Sequence, residues 1–553
     1  MHASNDRPSK LGVITHGSLN QGVEMKLEAS ESIEDVVAGT FVVIQGAQYD
    51  FFSMITDVEI AAANDNILLN PPSVDDDVLR RVMQGTGTYA TVSLKPMLMM
   101  PNQEHQEFTE AKPVKTVPTH FSVVAKATEN DVARVFGHEA NAGGDTYFNL
   151  GEPLGMDGIP VCIDLTRFVE RSNAVFGKTG TGKTFLTRLL LCGTIKTGRA
   201  VNLIFDMHSE YGWTARQEGG GPNVMGLKRL FPGKVRVFSL DGETSRKRGQ
   251  SPDQEVFLYA DQIEPGDILP LRDTLNLTST AAESTYSLRS RYGRRWLITL
   301  LDADGERLKE IAEECGAHEQ AISALHRKLK QFTSYGFFKT EASHGYDVIE
   351  ALMEDLTAGK SIVFEFGRYD DLRVYLLVAN VITRRLRERY EEQTTRYLQS
   401  QNEADKPQPL IITIEEAHKF LAPGVAHETP FGKIAREMRK FFVSLLVVDQ
   451  RPSAIDEEVL SQIGTKIVAQ LNDEKDISAA LVGTSGASAL RQVLASLDSK
   501  QQALLLGHAV PMPVVVRTRT YDQTFYDAMR AGQPAAPAAT FARAKQITDD
   551  LFY

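Results

Sequence analysis

Residues 172–190 read SNAVFGKTGTGKTFLTRLL, and this stretch decides the fold. The apolar strand Ser172–Phe176 runs into Gly177–Thr184, which fits the phosphate-binding loop pattern G-x-x-x-x-G-K-[ST] and opens a helix at Phe185. The glycines let backbone N–H groups curl around phosphate oxygens, and the helix N-terminus adds its positive dipole end. A strand, a glycine-rich loop, Lys-Thr and a helix in this order predict a nucleotide site rather than a structural turn.

The loop also predicts individual contacts to ATP and Mg²⁺. We expect Lys183 to hold the β- and γ-phosphates and the hydroxyl of Thr184 to bind Mg²⁺. The predicted nucleotide-binding residues are Gly177, Thr179, Gly180, Thr181, Gly182, Lys183, Thr184 and Phe185.

Two carboxylates follow a second apolar strand, Leu410–Glu415. A P-loop enzyme needs one carboxylate to orient Mg²⁺ and another to activate the attacking water. Glu415 ends the apolar run and is assigned to the metal, whereas Glu416 projects next and is assigned as the catalytic base. The alternative is an acidic pair that caps the following helix.

A third strand, Phe442–Val448, leads to Asp449 and Gln450. A polar side chain at the carboxyl end of a sheet strand lies beside the ligand crevice. Gln450 is therefore predicted to sense the γ-phosphate and to act in catalysis, and an ordinary strand-ending turn remains the alternative.

Strands alternate with helices from about Arg171 onwards, which indicates an α/β fold with a parallel sheet covered on both faces. The predicted buried strands are Ser172–Phe176, Ala200–Asp206, Val235–Ser239, Ser361–Phe366, Leu410–Glu415 and Phe442–Val448. Residues 255–356 have helical periodicity and predict an inserted helical subdomain. The ATPase core is then formed by residues 166–254 and 357–521.

The two ends of the chain differ from this core. Residues 1–165 contain short alternating segments and predict a small β-barrel. These segments are Val23–Glu28, Thr40–Gln45, Thr88–Leu94 and Phe121–Ala127. Residues 522–553 form a predicted tail, with a linker at Gly532–Pro537 and a short amphipathic end that either packs on a neighbouring subunit or stays disordered.

Composition excludes several classes of protein. The 553 residues are 42% hydrophobic and the net charge is −12, which is unlike a protein coated in nucleic acid. A ring can still keep a few basic side chains in its channel. No apolar run is long enough to span a bilayer and the first residues lack a secretory signal, so we expect a soluble, cytoplasmic protein with no membrane partner. The three cysteines predict neither disulfides nor a zinc site.

Basic side chains cluster at four places where nucleic acid could bind. The clusters are Arg246–Arg248, Arg289–Arg295, Arg327–Lys330 and Arg384–Arg389. The second lies in the helical insertion, where a pore loop or a subunit contact is plausible. The fourth includes Glu388 and is interpreted as a solvated helix surface.

Four stretches follow one another in the order seen in the HerA branch of the HerA/FtsK ATPases: Gly177–Thr184, Glu415–His418, Ile434–Lys440 and Gln450–Ser453. The amino-terminal region resembles the small HAS-type barrel that precedes the motor in HerA proteins. The segments Phe148–Gly151 and Phe205–Tyr211 are also similar to HerA sequences. The resemblance covers most of the chain.

The resemblance implies a RecA-like, additional-strand P-loop core and a homo-hexameric ring that moves along double-stranded DNA. It also implies an ATP site shared between subunits and a nuclease partner, NurA-like, docked on the barrel. By the same similarity Arg439, with Arg436 as second choice, is the arginine finger of a neighbouring site. Three positions depart from the family pattern. Met438 stands where glycine is common, Asp449 where a small hydroxyl residue is common, and Gln470 where many relatives carry arginine.

These features predict an ATP-hydrolysing DNA translocase or helicase that works with a nuclease in DNA end processing. An alternative is the ATPase subunit of an antiviral defence complex, whose ring scaffolds and activates a nuclease or a nucleotide-consuming effector. A scaffold that ATP merely locks is a further alternative, although a retained Glu416 argues for hydrolysis. No nuclease motif occurs in the chain itself.

Overall fold

The computed structural model describes residues 9–62, 78, 88–102, 111–139, 146–214, 224–484 and 486–531. They separate into two compact units. The first unit draws on Met1–Gly193, Gly266–Asp273 and Asn380–Arg519, and the second on Thr194–Pro265, Thr274–Ala379 and Thr520–Tyr553. The predicted linker Gly532–Pro537 and the end of the chain behind it lie outside the described residues.

Strands and helices are numbered in chain order. The strands are β1 Lys10–Ser18, β2 Gly22–Leu27, β3 Phe41–Gln45, β4 Tyr49–Ala62, β5 Thr88–Pro101, β6 Lys112–Pro113, β7 Val123–Lys126, β8 Tyr147–Pro153, β9 Val161–Asp164, β10 Asn173–Phe176, β11 Val201–Asp206, β12 Val235–Ser239, β13 Gln254–Glu255, β14 Leu258–Tyr259, β15 Phe338–Lys339, β16 Ser361–Glu365, β17 Leu410–Glu415, β18 Val443–Asp449, β19 Thr465–Val468, β20 Gln502–Gly507 and β21 Val514–Thr518.

The helices are α1 Glu129–Phe136, α2 Leu165–Val169, α3 Lys183–Thr197, α4 Leu227–Leu230, α5 Gly242–Lys247, α6 Pro265–Ile268, α7 Ser279–Tyr292, α8 Trp296–Asp302, α9 Gly305–Cys315, α10 Glu319–Leu329, α11 Val348–Thr357, α12 Leu372–Ser400, α13 His418–Leu421, α14 Pro430–Glu437, α15 Glu457–Gln462, α16 Glu474–Ala480, α17 Ala487–Ser496 and α18 Gln523–Arg530. Within the described residues, no helix is both long enough and apolar enough to cross a membrane.

A closed six-stranded barrel forms the amino-terminal part of the first unit. Its strands follow the order β2-β1-β7-β3-β4-β5, and β5 pairs back onto β2 while β6 extends the edge at β5. Along β2 the buried side chains Val23, Met25 and Leu27 alternate with the exposed Glu24 and Lys26. One face of β2 therefore lines the barrel core, which is why the period-two pattern predicts this strand.

The remaining strands of the first unit form a sheet in the order β17-β18-β10-β19-β20-β21-β8-β9. Strands β17, β18, β10 and β19 run parallel, and the strands from β19 to β9 pair antiparallel. Strand β18 lies between the strand that enters the phosphate loop and the strand that ends in Glu415. This inserted strand is the feature that defines the additional-strand P-loop core.

The predicted extent of the barrel, residues 1–165, is wrong at its carboxyl end. Strands β8 and β9 pair with each other and, through β21, with the sheet of the ATPase core instead of the barrel. The reason is physical, because an alternating pattern identifies a strand but does not specify the strand with which it pairs.

The second unit contains the parallel strands β13-β12-β16-β11 and the parallel pair β14–β15. Helices α7 to α10 lie within the predicted insertion. The segment that follows Tyr521 is also partly folded, because α18 begins there. Met225 donates its backbone N–H to the hydroxyl of Tyr526 at 3.3 Å, and Tyr521 donates its hydroxyl to the carbonyl of Met225 at 2.9 Å. The predicted tail therefore starts with a packed helix.

Candidate nucleotide site

Three strand ends of the first unit meet at one edge of its sheet. In the parallel pairs, Phe176 of β10 is level with Asp449 of β18, and Glu415 of β17 is level with Val448. Carboxyl ends of parallel strands form the ligand crevice of α/β proteins. The phosphate loop, the two glutamates and Gln450 are therefore brought together at this edge, as the sequence predicts.

Backbone hydrogen bonds tie the phosphate loop to the two strands beside it. Gly177 donates its N–H to the carbonyl of Asp449 at 3.3 Å, and Lys178 donates to the carbonyl of Gln470 at 3.1 Å. The loop then turns through Gly180 and Gly182, whose φ angles of 80° and 90° are favourable for glycine alone. The loop thus leads directly into the N-terminus of α3, where backbone N–H groups and the helix dipole favour an anion.

Gly177 is required for a different reason, which is close packing. A Cβ at this position would lie 2.7 Å from Thr181 Oγ1 and 2.9 Å from the Cβ of Ala469. Thr181 is buried and donates its hydroxyl to the carbonyl of Lys178 at 2.8 Å, so it is fixed in place. A side chain at residue 177 would therefore force the loop out of its conformation.

Lys183 is the first residue of α3, and its ammonium group donates to the carbonyl of Lys178 at 3.0 Å. The side chain thus folds back over the loop. Thr184 and Phe185 follow at the second and third helical positions and are half-buried. The hydroxyl of Thr184 and the carboxylate of Glu415 are hard oxygen donors of the kind that Mg²⁺ prefers, and Glu415 Oε2 is shielded from solvent. This donor set fits the predicted metal.

A chain of side-chain hydrogen bonds links the loop to the candidate base. The hydroxyl of Thr179 donates to Gln450 Oε1 at 2.5 Å, and Gln450 Nε2 donates to Glu416 Oε1 at 3.0 Å. Thr179 is exposed at the tip of the loop, whereas Glu416 and Gln450 are half-buried. The amide of Gln450 therefore contacts the phosphate loop with one end and the candidate base with the other.

Glu416 has a backbone conformation that the sequence does not reveal. Its φ angle is 47°, in the left-handed region, which is strained for a residue with a side chain. This conformation breaks the extended geometry after Glu415. The two adjacent carboxylates can therefore serve different partners, and the assignment of Glu415 to the metal and Glu416 to the base stays a prediction.

Asp449 holds the segment behind Glu416. Its side chain is buried, and its carboxylate accepts the backbone N–H of His418 at 2.7 Å and that of Arg451 at 2.7 Å. The ring nitrogen His418 Nδ1 lies 2.9 Å from the same carboxylate and 3.8 Å from Glu416 Oε2. Asp449, one of the three positions that depart from the family pattern, is therefore part of the site, and sequence reasoning missed its pairing with His418.

The other two positions that depart from the family pattern, Met438 and Gln470, have different surroundings. Met438 is completely buried and belongs to the core. The backbone carbonyl of Gln470 accepts a hydrogen bond from Lys178 of the phosphate loop. The side-chain Oε1 of Gln470 is buried and has no hydrogen-bond partner in the described part of the chain. A glutamine therefore occupies the edge of the loop and brings no positive charge to it.

The candidate arginine finger points away from its own phosphate loop. Arg439 is 62% exposed, and its guanidinium lies 4.0 Å from the carboxylate of Glu170. Arg436, the second choice, is half-buried on α14. Among the described residues, neither arginine donates a hydrogen bond to the phosphate loop. A single chain therefore does not supply an arginine finger to its own nucleotide site.

The basic clusters are partly neutralised. Arg289 and Arg291 pair with Glu264 and Glu314 at 2.6 Å and 3.3 Å. The interpretation of residues 384–389 as a solvated surface is wrong for Arg384, whose side chain is 17% exposed and pairs at 2.8 Å with the buried Asp267. The charge of Arg384 is compensated in the interior and is not available to phosphates.

A second acidic pair lies in the second unit and was missed. Asp206 and Glu365 end the neighbouring parallel strands β11 and β16 and are level with each other. Asp206 accepts backbone N–H groups from Glu210, Tyr211 and Gly212 at 2.8, 2.8 and 3.3 Å. Burial, together with the Asp206 carboxylate, raises the pKa of Glu365 to about 8. A carboxylate ending each strand is the sequence signal that could have indicated the pair.

Comparison with known proteins finds a family model that matches part of the chain. Residues 148–386 match the family model described as the central domain of helicase HerA. The DNA double-strand break repair helicase HerA of Pyrococcus furiosus is 23% identical over 440 residues, covering 75% of this chain and 76% of the relative. The protein of the same name from Sulfolobus acidocaldarius is 24% identical, and the match covers 90% of this chain and 91% of the relative.

Among solved structures, the chain is similar to VirB4 of Thermoanaerobacter pseudethanolicus, with a TM-score of 0.43 and 16% identity. That match covers 69% of this chain and 98% of VirB4.

Proposed function

We propose that this chain, a P-loop ATPase with a HerA-type central domain, couples ATP hydrolysis to movement along double-stranded DNA. The relatives that match most of its length are named as DNA double-strand break repair helicases. The proposed activity is therefore that of a DNA translocase or helicase in DNA end processing.

The observation that carries the proposal is the hydrogen-bonded chain from Thr179 through Gln450 to Glu416. A γ-phosphate bound by the loop competes with Gln450 Oε1 for the hydroxyl of Thr179. Loss of the γ-phosphate after hydrolysis restores this hydrogen bond. Gln450 thus has one partner set before hydrolysis and another after it, which is what a motor requires to convert nucleotide state into movement.

In the chemical step, Glu416 accepts a proton from the water that attacks the γ-phosphate. Lys183 leaves the carbonyl of Lys178 to hold the β- and γ-phosphates, and Thr184 with Glu415 would hold Mg²⁺, which neutralises charge on the phosphate oxygens when bound. Asp449 and His418 keep Glu416 in its left-handed conformation.

A homo-hexameric ring with the ATP site between subunits is part of the proposal. The support is Arg439, which is exposed and lies beside Glu170 rather than at its own loop. A finger supplied by a neighbouring subunit would complete the charge stabilisation that the single chain lacks. We further propose that a nuclease of the NurA kind binds the barrel.

The test is the steady-state ATPase rate of the purified protein with and without linear duplex DNA. Glu416→Gln removes the base but keeps the shape and one hydrogen-bond acceptor, so the rate should fall on the order of 10² to 10⁴-fold. Glu354→Gln is the matched control, because Glu354 is exposed on α11. Duplex DNA should stimulate the wild type and Glu354→Gln, but not Glu416→Gln.

An ATPase that ignores duplex DNA, yet rises when the nuclease partner alone is added, would refute the translocase and favour a scaffold. A Glu416→Gln variant with wild-type turnover would refute the assignment of the base.

A further inference from the structure

Helices α9 and α10 of the second unit are joined by a turn of three residues. α9 ends at Cys315, and Gly316 follows in the left-handed conformation with φ 62° and ψ 30°. Ala317 then donates its N–H to the carbonyl of Ala312 at 2.9 Å, which closes the end of α9. α10 starts at Glu319. Two helices joined by a short turn that contains glycine constitute the pattern of a helix-turn-helix.

The apolar side chains of the pair fit the same pattern. α9 buries Leu308, Ile311 and Ala312, and α10 buries Ala321, Ile322, Leu325 and Leu329. Both helices pack against α7. One stripe of α10 is thus committed to this three-helix core, and the opposite stripe faces outward.

The outward stripe of α10 is polar and basic. Gln320, Ser323 and Arg327 recur at helical spacing on one face, and Lys330 follows just beyond the helix. Gln320, Arg327 and Lys330 are exposed. Neither Arg327 nor Lys330 forms an ion pair with any residue that the structure describes. Their charges are therefore uncompensated in a chain whose net charge is −12.

The outward face of α9 has the opposite character. It displays Glu306, Glu310, Glu313 and Glu314, and its Arg307 is tied to Glu310 at 2.6 Å and to Glu314 at 2.8 Å. Phosphate groups would be repelled from this face. Apart from Lys309, which lies 3.9 Å from Glu319 at the start of α10, the outward face of α9 is acidic, so α10 is the helix better suited to a polyanion.

We infer that α10 is a recognition helix that enters the major groove of double-stranded DNA. An α-helix fits this groove, glutamine and arginine side chains hydrogen-bond to base edges there, and lysine contacts phosphates. The inference rests on the proposed function, because it supplies the DNA contact that a translocase needs. It assigns that contact to the insertion, outside the nucleotide site.

The test uses Arg327→Ala, Lys330→Ala and the double variant in the full-length protein. The control is Lys309→Ala, which removes an exposed lysine from α9. Fluorescence anisotropy gives the dissociation constant for a short linear duplex, without nucleotide, over a range of salt concentrations. Thermal unfolding of each variant verifies the fold, since all three side chains are at the surface.

We expect the double variant to bind duplex about tenfold or more weakly. The slope of log affinity against log salt should become shallower by roughly 2, because two phosphate-directed charges are lost. Lys309→Ala should retain the affinity and the slope of the wild type.

If the double variant has the affinity and salt slope of the wild type, the assignment of α10 as a recognition helix is wrong. If duplex DNA still stimulates the ATPase of the wild type in that case, the proposed translocase function is unaffected. An equal loss of affinity for single-stranded DNA would overturn groove docking as well. A wild-type protein that neither binds duplex nor responds to it in ATP hydrolysis would refute the proposed function, and the recognition helix with it.

Discussion

Substitution of Asp449 by alanine tests whether the buried pair with His418 positions the catalytic base. Asp449 is 1% exposed and accepts hydrogen bonds from the backbone of His418 and of Arg451. The alanine leaves the N–H of His418 and its ring without their acceptor. Leaving a buried donor without its acceptor destabilises the fold by about 1–3 kcal/mol. The backbone N–H of Arg451 contributes less, because Arg451 is exposed to water. The free energy of unfolding should therefore fall by roughly 2–4 kcal/mol.

The same substitution should lower turnover more than it lowers nucleotide affinity. His418 lies two residues after Glu416, and Gln450 adjoins Asp449, so the loss releases the candidate base from its position beside Gln450. A displacement of about 1 Å in a reacting group can cost on the order of 10²-fold in rate. The phosphate loop contacts only the backbone of residue 449, through Gly177. The KM for ATP should therefore change little.

Urea unfolding and steady-state ATPase kinetics measure the two effects. Ser444→Ala is the control, because Ser444 lies on the same strand and its buried hydroxyl has no hydrogen-bond partner among the described residues. It should change neither stability nor kcat by much. An Asp449→Ala protein that loses stability but keeps kcat would show that the pair is structural only. Unchanged stability would contradict the hydrogen-bond reasoning itself.

Two further substitutions test other parts of the structure. Gly177→Ala would place a methyl group 2.7 Å from Thr181 Oγ1, so a fluorescent ATP analogue should bind at least several-fold more weakly, whereas Gly233→Ala, which meets no atom within 4 Å, should bind normally. Unchanged binding by Gly177→Ala would contradict the packing argument. Burial and the nearby Asp206 raise the pKa of Glu365 from 4.5 to about 8, so the folded state holds this proton more tightly and stability falls as pH rises between these values. Glu365→Gln should weaken that fall in urea unfolding across the same pH range, and an unaltered pH dependence would count against the raised pKa.

Much of the core was predictable because its determinants are contiguous. The strand Asn173–Phe176, the loop and the helix that starts at Lys183 follow from glycine conformations, a helix N-terminus and an apolar run. The buried parallel strands were predictable for a similar reason, since a strand covered on both faces is a continuous apolar segment. Each of the six predicted core strands is present, with ends that differ from the predicted ones by one residue at most, whereas the parallel strand β19 was not predicted.

The partners of these segments were less predictable. Strand β8 alternates like a barrel strand, but β8 and β9 complete the other sheet. Arg384 looks like a surface charge but pairs with the buried Asp267. In both cases the deciding residue is far away in the chain. Local periodicity describes how a segment is exposed, whereas pairing depends on which distant segment covers it.

By itself, the sequence determined the phosphate loop, the strand and helix on either side of it and the order of the core elements, because these depend on neighbouring residues. Only the tertiary structure decided the contacts around Glu416. Gln450 and Glu416 are 34 residues apart, and His418 and Asp449 are 31 apart. They meet because β17 and β18 pair in one register. That register is set by packing across the whole sheet and is not written in any short stretch of the chain.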